Sequence, residues 1–108
     1  MKTTKLKLAA ILLLIMAIGF SFTSLTKITV KGSDTMVILS QKWAEVYMQK
    51  NPGATIQVTG GGSGVGIAAL INGSTDIANS SRPMKASEVD KLKQRYNTLG
   101  IEIPCAKD

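Results

Sequence analysis

The chain has 108 residues, 44% of them hydrophobic, with 13 Lys and Arg against 7 Asp and Glu, no His and one Cys. This composition reads as ordinary globular protein with a basic excess. Without His and with a single Cys, zinc sites and Ser-His-Asp triads are excluded, and five aromatic residues give no stacking platform for nucleic acid.

Much of the basic excess is local. Lys2, Lys5 and Lys7 stand before Leu8 to Phe20, an apolar run of 13 residues without a charge. A positive n-region, a short h-region and then small residues form the layout of a secretory signal, so residues 1–21 are expected to be removed after Ser21, with Gly19 as the small residue three positions before the cut. The alternative is an uncleaved membrane anchor, because the uncharged stretch from Leu8 to Thr26 runs 19 residues, near the spanning minimum. Its last third is rich in Ser, Thr and Gly, which favours cleavage, and no Cys near position 20 is available for lipid attachment. Either way the chain is expected to be exported, to the periplasm or the extracytoplasmic face of the cell membrane. Without the three leading lysines, residues 22–108 carry 10 basic and 7 acidic side chains. That balance is no argument for nucleic acid.

Beyond the signal, alternation and turn residues predict short strands and helices in sequence. Lys27 to Lys31 is the first strand. From Ser33 a helical pattern places Met36, Leu39, Trp43, Val46 and Tyr47 on one face, with Trp43 as its main apolar anchor on the sheet, until Asn51-Pro52-Gly53 stops it. Ala54 to Thr59 alternates as a second strand. It runs into Gly60-Gly61-Gly62-Ser63-Gly64-Val65-Gly66, whose five glycines argue against a packed element. Ile67 to Ile71 reads as a short helix capped by Gly73, and Thr75 to Ala78 as a third strand. Ser87-Glu88-Val89-Asp90 has the form of a capping box, opening a helix to about Tyr96. Ile101 to Pro104 is a fourth strand, with Cys105 expected as a small buried residue beside it. The order β-α-β-α-β-α-β with short connections favours a mostly parallel sheet with helices on both faces, an α/β fold left incomplete.

In an open parallel sheet, ligands lie outside the carboxyl ends of the strands, so the three strand-to-helix junctions form one candidate site. They read Gly32-Ser33-Asp34-Thr35, the glycine run with Ser63, and Asn79-Ser80-Ser81-Arg82. Glycine admits close backbone approach, hydroxyls donate hydrogen bonds, helix N-termini favour negative charge, and Arg82 offers a charge-assisted fork. This is the chemistry of an oxyanion cradle with no catalytic apparatus beside it. Taken singly, Ser33, Asp34 and Ser87 also read as N-caps, Asp76 as a turn ligand for backbone, and Arg82 as a solvated loop charge. No Gly-Lys-Ser/Thr is present, which excludes a Walker loop. Gly64-Val65-Gly66-Ile67-Ala68-Ala69 fits a loose dinucleotide fingerprint, but no acidic residue ends the next strand at the required distance.

At these residues the chain resembles a family, the PstS-like phosphate-binding proteins that serve as substrate-binding components of ABC-type phosphate importers. The likeness runs from about Val30 to Lys85, through GSDTM, KWAEVYMQKNP and TGGGSGVGIAALINGSTDIANSSRPM. It implies a periplasmic-binding-protein-like (type II) fold, of which residues 22–108 form the N-terminal part of the first lobe, with the second lobe absent. It implies a non-enzymatic protein without cofactor or metal, monomeric, whose partners are inorganic phosphate and an ABC-type phosphate permease in the inner or cytoplasmic membrane. The resemblance implies phosphate contacts at Thr35 and Met36 and at Ser63; the junction chemistry adds Ser81 and Arg82 as contacts, with Ser33, Gly62 and Gly64 supporting the anion loop. The chain departs from the best-known branch at Ser81, where that branch has a carboxylate that accepts a proton from phosphate. A carboxylate there repels sulfate, whereas Ser and Arg welcome either anion. Alternative readings are another oxyanion in the same fold, a membrane-anchored phosphate sensor, and a dinucleotide-binding oxidoreductase fragment.

Overall fold

The structure, a computed structural model, describes residues 2–18 and 25–106. Helix α1 (Lys2–Ile18) covers the three N-terminal lysines and most of the apolar run, and its Leu6, Leu8 and Ile11 to Leu14 are exposed. Among the described residues no helix is long and apolar enough to cross a membrane. The cleavage position expected after Ser21 lies outside the described residues.

Strand β1 (Thr26–Gly32) is the centre of a three-stranded parallel sheet ordered β2-β1-β3, with β2 at Ala54–Thr59 and β3 at Ile77–Asn79. Register pairs Thr26 with Ala54 through Lys31 with Thr59 on one side, and Val30 with Ile77 through Gly32 with Asn79 on the other. A single 3-10 turn (Asp34–Met36) leads from β1 into α2 (Val37–Lys50), which packs on β2. Helix α3 (Ser63–Asn72) packs on β1 and β3, and α4 (Ala86–Tyr96) packs on α3. Because β1 to β2 and β2 to β3 run in opposite lateral directions, right-handed crossovers put α2 and α3 on opposite faces of the sheet. The expected α/β architecture is therefore present, around a small core of Val30, Ala44, Ile67, Ala69 and Leu92.

Several local expectations give way. Helix α2 turns Ser40 and Ala44 inward, while Leu39 and Trp43 are 39% and 44% exposed and Val46 and Tyr47 are also exposed. Small side chains let the helix approach the sheet, and the Ser40 hydroxyl accepts from Asn79 Nδ2, at the end of β3, at 2.7 Å. Trp43 is therefore not the buried anchor. Helix α3 begins at Ser63 and absorbs the last four residues of the glycine run, Ser63 to Gly66. Gly66 is buried because a Cβ there would collide with the Lys31 carbonyl and Gly32 Cα, so glycine is what permits this packed helix to touch the strand. Strand β3 starts later than expected, since Thr75 Oγ1 donates to the Thr29 carbonyl (2.9 Å) and Asp76 accepts from the Thr29 N–H (2.8 Å), which uses both residues as a brace. Helix α4 opens at Ala86, not Ser87, with Glu88 rather than Asp90 accepting from the cap, the Lys85 N–H, at 2.8 Å. The fourth strand is absent: Ile101 to Pro104 pairs with no sheet edge, and Glu102 is held instead by the Met84 N–H at 2.8 Å. Without a strand to cover it, Cys105 is exposed rather than buried.

Candidate anion-binding site

All three strand-to-helix junctions meet at the carboxyl end of the sheet, joined by main-chain hydrogen bonds. The Ser33 N–H donates to the Asn79 carbonyl and the Gly62 N–H to the Gly32 carbonyl, each at 2.9 Å, so the first junction is stitched to the other two. Ser33 is 2% exposed, and its Oγ lies 2.8 Å from Thr35 Oγ1, which aims the exposed Thr35 from a fixed base. The Met36 N–H donates back to the Ser33 carbonyl at 3.2 Å, a long bond that closes the 3-10 turn. Asp34 makes no side-chain cap; its Oδ1 accepts from the Gly61 N–H at 2.9 Å and clips the glycine loop to the first junction.

Gly62 supplies the bend into α3 with φ of +106°, a backbone conformation that side chains rarely adopt. Ser63 follows as the first helical residue, and its Oγ accepts the Ser81 N–H at 3.0 Å and lies 3.2 Å from Ser81 Oγ. The two serines therefore form one hydroxyl pair, although they are 18 residues apart.

Arg82 is not a solvated loop charge. Its Nη1 and Nη2 donate to the two oxygens of Glu88 at 2.9 and 2.8 Å, and Nη1 also donates to the Pro83 carbonyl at 3.0 Å. Arg82, with help from the Lys85 N–H, holds the Glu88 carboxyl down at about 2, and Glu88 in turn raises Arg82 above its ordinary value. Asp76 is lowered for the reason expected of a turn ligand, the backbone N–H and hydroxyl of Thr29.

Thr35, Met36, Ser63, Ser81 and Arg82, with Ser33, Gly62 and Gly64, thus come together at one end of the sheet, and the N-terminal turn of α3 opens into the same place. Neutral donors predominate, which suits an anion that is hydrogen-bonded rather than transformed. Among the described residues no group of acidic, Cys or His side chains is placed to hold a metal. Three supporting residues escape a reading of the sequence: Asp34 as a clip between loops, Asn79 as a tie to α2, and Glu88 as the partner of Arg82. Only Glu88 left a signal, as the acidic residue three positions after the true cap.

The matching family model, a PBP superfamily domain, covers residues 21–108. SphX of Synechococcus elongatus is 34% identical over 95% of this chain and 32% of its own length. The phosphate-binding protein PstS of Pseudomonas aeruginosa is 35% identical over 71% of this chain and 24% of its own. Among solved structures, a possible phosphate-binding protein from Planctomyces limnophilus matches with a TM-score of 0.62 at 32% identity, over 66% of this chain and 25% of that one. A phosphate-binding protein of a phosphate ABC transporter from Streptococcus pneumoniae matches with a TM-score of 0.59 at 36% identity, over 64% and 27%. The chain thus spans about a third or less of the length of these relatives. With the fold, the junction loops and these matches in agreement, the chain belongs to the PBP superfamily and is PstS-like over the part of those proteins that it spans.

Proposed function

We propose that the chain is part of an exported, non-enzymatic solute-binding protein that captures inorganic phosphate for delivery to an ABC-type permease. The observation that carries the reading is the joining of three hydroxyl- and glycine-rich junctions into one cradle, in a chain whose relatives are phosphate-binding proteins. In this reading the Thr35 hydroxyl and the Ser63–Ser81 pair donate to phosphate oxygens, and the Met36 N–H shares its proton between the anion and the long 3.2 Å bond to the Ser33 carbonyl. Arg82 adds a guanidinium at the rim, while Ser33, Gly62 and Gly64 shape the loop. No nucleophile or general base is asked to act.

Residues 1–21 serve as the export signal, cut after Ser21, and residues 22–108 form the working portion, a monomer. Intact mass of the chain recovered from the extracytoplasmic fraction checks this, with unprocessed mass in the membrane fraction favouring an anchor instead. The binding reading is tested by titrating the chain with phosphate, sulfate and NAD and following backbone amide shifts. Phosphate should move the amides of Gly62, Ser63 and Gly64 while NAD leaves them in place; shifts with NAD and none with phosphate overturn the reading.

A further inference from the structure

Arg82 reaches the cradle already paired. Glu88 holds both terminal nitrogens, at 2.8 and 2.9 Å, and is itself fixed by the Lys85 N–H at 2.8 Å. The pair is half-sheltered, with side-chain exposures of 31% for Arg82 and 16% for Glu88. Across from Glu88, Arg82 Nη2 stands 3.7 Å from the position a Cβ on Gly64 would occupy, so the guanidinium rests against the first turn of α3. Ser63 begins that turn, and Ser81 is the residue before Arg82. The first turn of α4 therefore acts as a mount that holds a guanidinium beside Gly64, at the helix turn that Ser63 opens.

A guanidinium paired oxygen for nitrogen brings no net charge. An anion arriving at Ser63 and Ser81 meets a dipole, whereas an unpaired Arg82 would present a full positive charge. Attraction to a net charge grows with the charge on the ligand, while the number of hydrogen bonds a tetrahedral oxyanion accepts does not. Cancelling the charge thus removes the advantage that a dianion holds over a monoanion.

We propose that Glu88 is a positioning and specificity-determining residue of the cradle, one that orients Arg82 against α3 and cancels its charge so that oxyanions are selected by hydrogen bonding rather than by valence. The inference rests on the reading of this site as an oxyanion cradle. It gives the serine at position 81 a counterpart: no carboxylate stands there to reject sulfate, and Glu88 keeps the local charge from favouring it.

The test titrates the 108-residue chain with sulfate and, in mildly acidic buffer, with monoanionic phosphate, read on the amides of Gly62, Ser63 and Gly64. Glu88→Gln keeps an acceptor for Arg82 and Lys85 but removes the negative charge. It should tighten sulfate about tenfold and the monoanion about threefold, because the charge term of a monoanion is half as large. Arg82→Gln, which leaves Glu88 uncompensated, should move the sulfate-to-phosphate ratio the opposite way by a similar factor. The double variant, whose local charge again sums to zero, should restore the wild-type ratio. If Glu88 were merely structural, Glu88→Gln would weaken both anions together at constant ratio. That result overturns the inference, as does an unmoved ratio in Arg82→Gln, which decides the matter should Glu88→Gln fail to fold. Wild-type chain that shows no phosphate shift at all overturns the cradle reading and this inference with it, whereas phosphate shifts with an invariant ratio across the variants overturn the role of Glu88 alone.

Discussion

Glu88 shows how one side chain serves a helix start and a neighbouring charge at once. Its carboxyl is held at about 2 against an ordinary 4.5, first by Arg82 and then by the Lys85 N–H. With the folded value lowered, the unfolded chain binds more protons as pH falls, so the stabilisation is complete above about 4.5 and is lost progressively toward pH 2. Acid titration of the wild-type chain should show a falling melting temperature across that window. Glu88→Gln should start from a lower plateau and decline less steeply, retaining the part due to Asp76, whose carboxyl is lowered in the same direction by Thr29. Equal slopes for wild type and variant would show that the pair does not couple to folding. Much of the site was legible at this scale, because Ser63, Ser81 and Thr35 announce themselves as hydroxyls at strand ends. The partners that hold them were not. Asp34 reads as an ordinary cap until the Gly61 N–H, 27 residues away, is seen to reach it. Local sequence carries the propensity for a cap and no record of such a distant donor.

At the scale of elements, the parallel order follows from the β-α-β succession and the approximate positions of three strands from alternation and turn residues, whereas which face of α2 turns inward does not. Leu39, Trp43, Val46 and Tyr47 outweigh Ser40 and Ala44 on any hydrophobic count, yet close approach to β2 selects the small residues. Trp43→Ala should accordingly cost about 1 to 2 kcal/mol, below the ~3 to 5 kcal/mol of a fully buried Trp. Leu92, 5% exposed where α4 meets the core, should be the more damaging truncation at ~2 to 5 kcal/mol. Denaturant melts of the two variants decide the order, and a Trp43→Ala loss larger than that of Leu92→Ala would make Trp43 the apolar anchor of α2. The glycine run misled for a related reason: five glycines suggested loop, but α3 needs Gly66 where it touches β1. Alanine at position 66 gains ~1 kcal/mol of helix propensity, against ~1 to 3 kcal/mol or more for forcing a methyl into backbone that cannot yield. Collision wins, so Gly66→Ala should destabilise. Gly64→Ala, where the new Cβ makes only ordinary contact with Arg82, should leave the melting temperature level or slightly raised. The fourth strand failed because alternation over Ile101 to Pro104 names a candidate strand without supplying an edge for it to pair with.

For the molecule as a whole, the decisive feature is that the cradle is one-sided. Thr35 and Ser81 are exposed, and the three junctions lie along one end of a three-stranded sheet. A bound oxyanion would therefore keep its opposite face in water. Each hydrogen bond in such a place exchanges with one to solvent, for a net gain of ~0.5 to 1.5 kcal/mol, or ~1.5 to 3 kcal/mol when charge-assisted. With Arg82 already engaged by Glu88, the lower range governs most of the contacts. Three or four of them sum to about 2 to 6 kcal/mol before the cost of immobilising the ion, so the net does not exceed the ~4 kcal/mol that corresponds to millimolar affinity. Enclosure from a second side would strip water from the same hydrogen bonds and strengthen each of them. Relatives three or more times as long as the matched region have chain enough to supply such a cover. Calorimetry of the 108-residue chain with phosphate should accordingly show no saturable isotherm at micromolar concentrations, while amide shifts at the cradle saturate only in the millimolar range. A micromolar isotherm from this chain would mean that the junctions alone desolvate the ion, and the one-sided geometry would then have to close around it in a way that these loops do not show.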